Sequence, residues 1–403
     1  MEKFITNVIN NNYNSVLKSA KCSKPQARNI KKLGTQIMKK GTAVLNHLAD
    51  ESSHIPVEDQ SEIHGNALQK VDLEKAVQEK ILKKFLQELQ ENTVIAYDLT
   101  DEIHKYANPK KNGMEKISKV FDGSERSPKN GFTNHGVGTD KWLLRLDYHD
   151  HEEKCLPQVR KEILEELLQK FHGKGIFAFD CGNDDEKLFC YMNDKNAKFI
   201  VRLKSDTEKS RLLCLVKTGE ILNAHDLPVG RHEVYVKISG KNKFDFTRKY
   251  WVIKAQPDKT RKPITLLFCA KMTIFSNKEI VKMYLKRWGV ENQFRRIKQI
   301  YKFERMQVRK WQRRKNLMSL ILLSHFLAKV IQEKFDQEKK KAESVFFIAR
   351  NEMMAFLKRA SKTYNDYSFM DFLRTKIPKR LCFFLRVKTT NTRSNTIQMT
   401  LYV

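Results

Sequence analysis

The amino-acid sequence predicts an α/β protein built on a mixed sheet, with a β-rich insertion and with helical regions at both ends. Two apolar runs of the same form, TVIAYD (93–98) and IFAFD (176–180), have the length and composition of strands buried on both faces. Residues 205–268 alternate apolar β-forming runs with Gly, Asn and Pro, which indicates a β insertion. Helical periodicity dominates before residue 92 and after Ser276.

The length and the charge of the chain limit its class. The 403 residues predict about two to four structural units. Lys and Arg total 77 against 47 Asp and Glu, a formal net charge of +30, which favours a polyanionic partner. Nucleic acid is the first candidate and an anionic membrane surface the second. A ribosomal or merely solubilising role is disfavoured by the length of 403 residues and by the long apolar strands.

The cysteines and the apolar segments indicate a reduced, soluble protein. The seven cysteines show neither a C-x-x-C pair nor zinc-finger spacing. The first residues lack the apolar core of a signal peptide, and the longest apolar stretch, Leu317 to Ile331, is interrupted by polar residues. That stretch predicts a buried helix rather than a membrane span. We expect a cytoplasmic, nucleoid-associated protein without a membrane partner.

Residues 1–92 are predicted to be helical. Ser23 with Pro25 marks a helix start, and Asp72 caps a second helix that is strongly amphipathic. Two roles fit this region: a small domain that recognises DNA ends, or a helical cap on the domain that follows.

Two aspartates occupy matching positions, since Asp98 and Asp180 each close an apolar strand. If the two strands are neighbours in one sheet, both carboxylates emerge at the edge where open α/β sheets place their ligands. The alternative is that each aspartate only caps a turn, which is common after a strand. The repetition of the same context favours a functional pair.

Glu291 lies in a segment with helical periodicity, residues 277–301. Taken as one helix, this segment places Glu291 near the centre of an inward, partly aromatic stripe. The stripe also carries Ile280, Tyr284, Arg287, Phe294 and Lys298, and the opposite face carries Lys282, Lys286, Gly289, Gln293 and Arg296. A carboxylate is costly to bury unless a partner charge or a metal compensates it. The alternative is an ion pair with Arg287 or Arg295, each four residues away.

Three carboxylates from separate segments suit magnesium-dependent phosphoryl chemistry. Mg²⁺ prefers oxygen ligands, and two ions about 3.5–4 Å apart can activate an attacking oxygen and stabilise a leaving one. The sequence shows no His or Cys cluster that would compete for a transition metal. A Ser-His-Asp or Cys-His site stays open, but no nucleophile elbow supports one.

The segment YLKRWGVENQFRRIK contains Tyr284-x2-Arg287-x3-Glu291-x6-Lys298. It resembles the Y-x2-R-x3-E-x6-K signature of the DDE transposases of the insertion sequence four family. AYDLTD around Asp98, with DGS (122–124) downstream, resembles the first-aspartate strand of that family. The segment from Asp180 to FIVRLK resembles the second-aspartate strand, helix and next strand. The resemblance covers about residues 90–310.

The resemblance implies a catalytic triad and a domain plan. Asp98, Asp180 and Glu291 would hold two Mg²⁺ ions, with Mn²⁺ as a substitute, on a ribonuclease-H-like fold. The implied domains are an end-binding helical domain (1–92), a catalytic domain (93–204 and 269–305), a β-rich insertion domain (205–268) and a helical region for dimerisation (306–403).

The resemblance and the charge pattern together imply a set of DNA contacts. Residues 271–315 carry fifteen Lys or Arg against three acidic residues, a net +12. The expected DNA-contacting residues are Tyr284, Arg287, Lys298, Arg202, Lys204, Arg295, Arg309, Arg313 and Arg314. The alternatives for the basic run are a solvated face or a nuclear-import signal.

Trp288 is expected to pack. The strand PITLLFCA lacks the base-stacking Trp of some relatives, and Trp251 is the nearest substitute.

The implied activity is cut-and-paste DNA transposition. A homodimer would pair two ends of a transposable element in a synaptic complex on double-stranded DNA. Water would attack the phosphodiester at each boundary, and the freed 3′-hydroxyl would then attack target DNA without a covalent protein intermediate. Two alternatives remain: a ribonuclease-H-like endonuclease without strand transfer, and a catalytically silent DNA-binding regulator derived from a transposase.

Overall fold

The computed structural model describes residues 2–50, 53–104, 107, 113–205, 210–238, 240–241, 243–257, 262–306, 308–343, 385–388 and 398–401. The chain divides into two compact units. The first unit comprises Met1–Val71, Ile300–Met306 and Leu323–Val403, and the second comprises Asp72–Gln299 and Gln307–Leu322. The predicted helical character of 344–384 lies outside the described residues.

The first unit begins with three helices: α1 (Glu2–Ser19), α2 (Lys24–Lys40) and α3 (Val57–Gln69). Helix α2 begins where it was predicted, because Ser23 and Gln26 form a capping box ahead of the first turn. Gly41 ends this helix in the left-handed region, with φ 58°. A Cβ atom at Gly34 would collide with the ring of Tyr13, so this glycine lets α1 and α2 approach closely.

Residues from the far end of the chain complete the first unit. The hydroxyls of Tyr13 and Ser324 lie 3.2 Å apart, and the Ala43 N–H donates to the Tyr301 carbonyl at 2.7 Å. Two short antiparallel strands, Leu385–Lys388 and Gln398–Leu401, belong to the same unit. The predicted helical C-terminal region therefore contains a two-stranded sheet as well.

The second unit contains an eleven-stranded mixed sheet. Its strands are β1 (Val94–Ile103), β2 (Ser118–Asp122), β3 (Ser127–Gly138), β4 (Leu143–Tyr148), β5 (Ile176–Phe179), β6 (Lys198–Arg202), β7 (Leu212–Leu215), β8 (Ile221–Asn223), β9 (Gly230–Val236), β10 (Tyr250–Ala255) and β11 (Ile264–Phe268). Their order is β2-β3-β1-β5-β6-β11-β10-β9-β7-β8, with β4 also beside β3.

The part of the sheet predicted to be catalytic has the expected mixed pattern. Strands β4, β3 and β1 are antiparallel neighbours, whereas β1, β5 and β6 run parallel. Parallel neighbours need crossover connections, and helices α5 (Leu156–Phe171) and α6 (Glu186–Asp194) provide them before and after β5. This arrangement agrees with the ribonuclease-H-like fold class.

The strands within 205–268 lengthen the same sheet. Strand β11 pairs antiparallel with β6, and β10, β9, β7 and β8 follow outward. Helix α4 (Glu74–Leu86) also belongs to the second unit, since the rings of Phe85 and Phe171 lie 5.6 Å apart. The helical region predicted for residues 1–92 is thus divided at Asp72.

Three helices follow the sheet: α7 (Asn277–Leu285), α8 (Trp288–Tyr301) and α9 (Trp311–Glu343). Ser276 caps α7 in a capping box with Glu279. The single helix predicted for 277–301 is wrong, because the chain turns at 286–287. The apolar stretch in α9 is buried as predicted, and no helix among the described residues has the length and apolar character to cross a membrane.

Candidate active site

Asp98 and Asp180 lie at the same level of two neighbouring parallel strands. Tyr97 of β1 pairs with Phe179 of β5, and each aspartate is the next residue along its strand. Asp98 continues β1, whereas Asp180 leaves β5 and enters a short 3₁₀ turn at Cys181–Asn183. The repeated sequence context therefore corresponds to a repeated position in the sheet.

The Asp98 carboxylate is largely buried, with a side chain that is 13% exposed. Its Oδ1 accepts from the Leu99 N–H at 3.0 Å, and its Oδ2 accepts from Arg287 Nη1 at 2.7 Å. Burial, together with the charges of Asp180 and Glu291, raises the pKa of Asp98 to about 7 against the opposing charge of Arg287. The carboxylates are near enough to repel each other, and one guanidinium does not neutralise them.

Arg287 joins the first and third carboxylates. Its Nη1 pairs with Asp98 and its Nη2 pairs with Glu291 Oε1, both at 2.7 Å. Burial opposes the charge of Arg287, but Tyr284, Asp98 and Glu291 keep its pKa above the usual value. The ion pair between Glu291 and Arg287, the alternative to a metal-ligand role, is therefore present.

Glu291 does not lie on a buried stripe as predicted. Its side chain is 41% exposed, whereas Gln293, predicted on the solvated face, is 1% exposed and donates to the Asp140 carbonyl at 2.8 Å. Ile280, Tyr284, Arg287 and Phe294 of the predicted stripe are buried. The turn at 286–287 starts a new helix with its own phase, so Glu291 and Gln293 lie elsewhere than one continuous helix predicts.

The three carboxylates are not a closed metal-ligand cluster. Among the described residues, the group of three potential ligands that lie mutually within 4.8 Å is Glu186, Cys190 and Asp245. Protein partners already occupy that group, since Cys190 donates to Glu186 at 3.1 Å and Asp245 pairs with Arg248 at 2.9 Å. Burial and Glu186 also raise the pKa of Cys190 to about 11, which disfavours the thiolate that a metal needs.

Tyr284 and Lys298 lie near the carboxylates. Tyr284 is 2% exposed, and the Arg287 guanidinium lies 5.7 Å from its ring centroid. The Tyr284 hydroxyl and the Arg287 Nε are buried and make no hydrogen bond within the described chain. Lys298 Nζ donates to the carbonyl of Asp101 at 2.6 Å, which fixes the lysine three residues along β1 from Asp98.

The predicted DNA-contacting residues differ in exposure. Lys204, Arg295 and Arg309 are exposed, and Arg202 and Arg313 are partly buried. The aromatic predictions also differ: Trp288 is 41% exposed rather than packed, and Trp251 on β10 is half-buried.

The prediction for Arg314 is wrong. This residue is 1% exposed and pairs with the fully buried Glu102 at 2.6 Å. Its Nη2 donates to the Val308 carbonyl, and its guanidinium lies 4.2 Å from the centroid of Phe132. A cation held by a buried acid, a carbonyl and an aromatic ring is part of the core and is not available to a phosphate.

Sequence reasoning missed two residues beside Asp180. Asn183 donates from Nδ2 to Asp180 Oδ1 at 2.5 Å, and Arg160 of α5 donates to Asn183 Oδ1 at 3.0 Å. The CGN that follows Asp180 was the available signal, because a polar residue three positions after a strand-ending aspartate can return to its carboxylate.

Comparison with known proteins supports a transposase domain. Residues 143–327, 185 of the 403, match the family model described as the transposase DDE domain. The matched range contains Asp180 and Glu291, and Asp98 precedes it. A solved structure, the piggyBac transposase synaptic complex with hairpin DNA, is similar to this chain at 10% identity and a TM-score of 0.41 over 77% of this chain and 67% of that one. No curated protein matches the sequence.

Proposed function

We propose that this chain is a DNA transposase that binds transposon ends, cleaves them and joins them to target DNA by metal-dependent phosphoryl transfer. Asp98, Asp180 and Glu291 are the proposed metal ligands, in the manner of the insertion sequence four family. The observation that carries the proposal is the register of Asp98 and Asp180 on parallel strands, with Glu291 joined to Asp98 through Arg287. The match to a transposase DDE domain supports it.

The donor set fits a hard divalent cation. All three side chains offer oxygen ligands, which Mg²⁺ and Mn²⁺ accept. The pKa of Asp98, raised to about 7 by burial and by the two other carboxylates, indicates a site that is short of positive charge. Each carboxylate oxygen bonded to Arg287 has a second lone pair, so the guanidinium does not exhaust its capacity. Two divalent ions held there would activate the attacking oxygen and stabilise the leaving oxygen.

The remaining residues of the signature suit a phosphate. The Tyr284 hydroxyl and the Arg287 Nε are donors without a hydrogen-bond partner in the described chain, and buried donors of this kind are rare. A phosphate oxygen from the transposon end would satisfy them. Lys298, fixed at the Asp101 carbonyl, would add a positive charge beside the scissile phosphate.

Double-stranded DNA is the proposed partner, bound by a homodimer that pairs two ends. The exposed Lys204, Arg295 and Arg309, with the partly buried Arg202 and Arg313, are the proposed backbone contacts. Arg295, Arg309 and Arg313 lie in the segment 271–315, whose net charge is +12, whereas Arg202 and Lys204 lie at the end of β6 and just after it. Arg314 is not among them.

The test is the Glu291→Gln substitution, which keeps the side-chain volume but removes the charge. We expect Mg²⁺-dependent cleavage of end DNA to fall at least about a hundredfold, because the charge stabilisation that a bound metal supplies is worth several kcal/mol. Affinity for end DNA should hold or rise, since one negative charge near phosphate is lost. Cleavage, end binding and thermal stability are measured on the same protein.

Glu304→Gln is the matched control, because it removes the same charge from an exposed residue of the same basic segment. It should cut normally. A folded Glu291→Gln protein that cuts at the wild-type rate contradicts the proposal. A wild-type protein that cuts but fails to join labelled ends to a plasmid is a nuclease instead.

A further inference from the structure

The loop after β5 is held by two arginines that come from other elements. Arg160 of α5 donates to Asn183 at 3.0 Å and pairs with Asp185 at 2.6 Å. Arg211, ahead of β7, pairs with Asp184 and also donates to the Asp184 carbonyl at 2.9 Å. The two arginines therefore fix neighbouring parts of one loop. Only Arg160 is linked to Asp180, through the side chain of Asn183.

The hydrogen bonds between Arg160, Asn183 and Asp180 have one possible direction. A guanidinium can only donate, so the Asn183 oxygen must face Arg160. The amide NH₂ then faces Asp180 Oδ1, at 2.5 Å. Because Asn183 is 4% exposed, water cannot replace either partner if the amide rotates. Arg160 thus sets the orientation of an amide that in turn sets the orientation of a carboxylate.

The other side of the Asp180 carboxylate is left open. Its Oδ2 has no hydrogen-bond donor among the described residues. A Cβ atom at Gly182 would lie 3.3 Å from both carboxylate oxygens, so any larger residue would crowd them. One oxygen is therefore anchored by the protein and the other is available to a ligand.

Asp185 anchors Arg160 from the opposite side. It is the N-cap of α6, where its Oδ1 accepts from the Lys187 N–H at 3.1 Å, and its Oδ2 pairs with Arg160. Arg160 is 9% exposed, so this pairing balances a charge that is largely buried. The guanidinium cannot leave Asn183 without breaking the ion pair that also fixes the start of α6.

We propose that Arg160 and Asn183 are positioning residues for Asp180, orienting its carboxylate for a divalent cation. The inference rests on the proposed function, because it requires that Asp180 be a metal ligand. Groups that hydrogen-bond a ligating carboxylate fix its geometry and raise metal affinity, and their loss typically weakens binding about 10–100-fold. Neither residue needs to touch the metal or the DNA.

The test is Mn²⁺ affinity, measured by calorimetry on the full chain without DNA. Asn183→Leu keeps the side-chain size but removes the donor, and we expect its Mn²⁺ dissociation constant to rise about tenfold or more. Arg211→Gln is the matched control, since Arg211 holds the same loop through Asp184 and not through Asp180. Its dissociation constant should stay within about twofold of wild type; an equal loss in both variants means that loop rigidity matters and overturns the proposal.

A double-mutant comparison separates positioning from general stability. Arg160→Met should weaken Mn²⁺ binding several-fold in the wild-type background and not further in the Asn183→Leu background, because Arg160 acts on Asp180 only through Asn183. If Arg160→Met weakens Mn²⁺ binding by the same factor in both backgrounds, Arg160 does not act through Asn183 and this part of the proposal is overturned. If Arg160→Met does not fold, Arg160→Lys retains a donor and should show a smaller version of the same coupling.

Asp180→Asn distinguishes failure of this inference from failure of the proposed function. If wild-type Mn²⁺ binding is unaffected by Asp180→Asn, Asp180 is not a ligand and both fall. If Asp180→Asn weakens binding but Asn183→Leu does not, only the positioning role is overturned.

Discussion

Asp98 carries a carboxylate where burial and two neighbouring carboxylates disfavour its charge. Its pKa rises from 3.8 to about 7 in the folded protein. Between these values the folded state holds a proton that the unfolded state has released. The contribution of Asp98 to stability is therefore largest at acidic pH, falls as the pH rises through this window, and is lost above about pH 7. A residue that destabilises the fold at neutral pH is expected where function requires the charge.

The Asp98→Asn substitution tests this cost. The amide keeps the shape but cannot ionise. The stability of the variant relative to wild type should therefore be greater at pH 8 than at pH 5. The expected difference in the free energy of unfolding is about 2 kcal/mol. It is measured by denaturant unfolding at both pH values with a chelator present. An equal gain at both pH values would mean that Asp98 does not titrate in this range.

Residue-level prediction worked where the chain repeats a local pattern and failed where the partner is remote. Asp98 and Asp180 follow apolar runs of the same composition, and the β1–β5 register places them side by side. Arg314 stands in a run of basic residues, but its partner Glu102 is 212 positions earlier. Charge density along the sequence cannot distinguish a cation in the core from one on the surface.

At the scale of elements, glycines on β3 determine how α8 approaches the sheet. A Cβ atom at Gly136 would overlap the Phe294 ring, and one at Gly138 would lie 2.7 Å from Val290. A Cβ atom at Gly289 of α8 would lie 2.4 Å from the Cα atom of Asp140. The position of α8 after the turn at 286–287 therefore depends on contacts with residues about 150 positions earlier in the chain. The spacing of residues within 277–301 contains no information about these contacts, so it predicted one continuous helix.

Gly136→Ala tests the contact between β3 and α8. The added methyl overlaps Phe294, three residues after Glu291, so we expect a loss of about 1–3 kcal/mol in the free energy of unfolding and slower cleavage. Gly123→Ala, in the β2–β3 turn, is the control because its Cβ would meet no atom within 4 Å. Denaturant unfolding and cleavage are measured on both. If both variants match wild type, α8 is free to shift and the packing does not position Glu291.

At the scale of the molecule, the helical and β-rich regions could be predicted from the sequence, but not which of them pack together in one unit. Residues 205–268 were predicted as a separate insertion, yet their strands extend the sheet from β6, because β propensity does not specify a pairing partner. Helix α4 was predicted with the N-terminal helices, yet Phe85 and Gln78 contact Phe171 and Asp147 of the sheet unit. The N-terminal region that remains is residues 1–71.

Helix α2 is the most basic element of that region. Its seventeen residues carry six Lys or Arg and no acid. Together with α1 it borders a groove of about 470 Å³ whose lining includes Lys18, Lys24, Arg28 and Lys31. This surface favours DNA binding over a simple helical cap, and both roles can be separated by experiment. Deleting residues 1–92 is a poor choice, because it would also remove α4 from the sheet unit.

The combined substitution Lys24→Ala and Arg28→Ala leaves the fold intact, because both side chains are exposed. If α2 contacts DNA, affinity for end DNA should fall and the slope of log affinity against log salt should decrease by about two units, one for each phosphate that is no longer neutralised. The control is Lys75→Ala with Lys83→Ala on α4, which removes the same charge from exposed positions where acidic residues alternate with basic ones. Its salt slope should change less. Equal, small changes in both proteins would show that the long-range charge of the molecule, rather than α2, attracts DNA, and residues 1–71 would then be a helical cap.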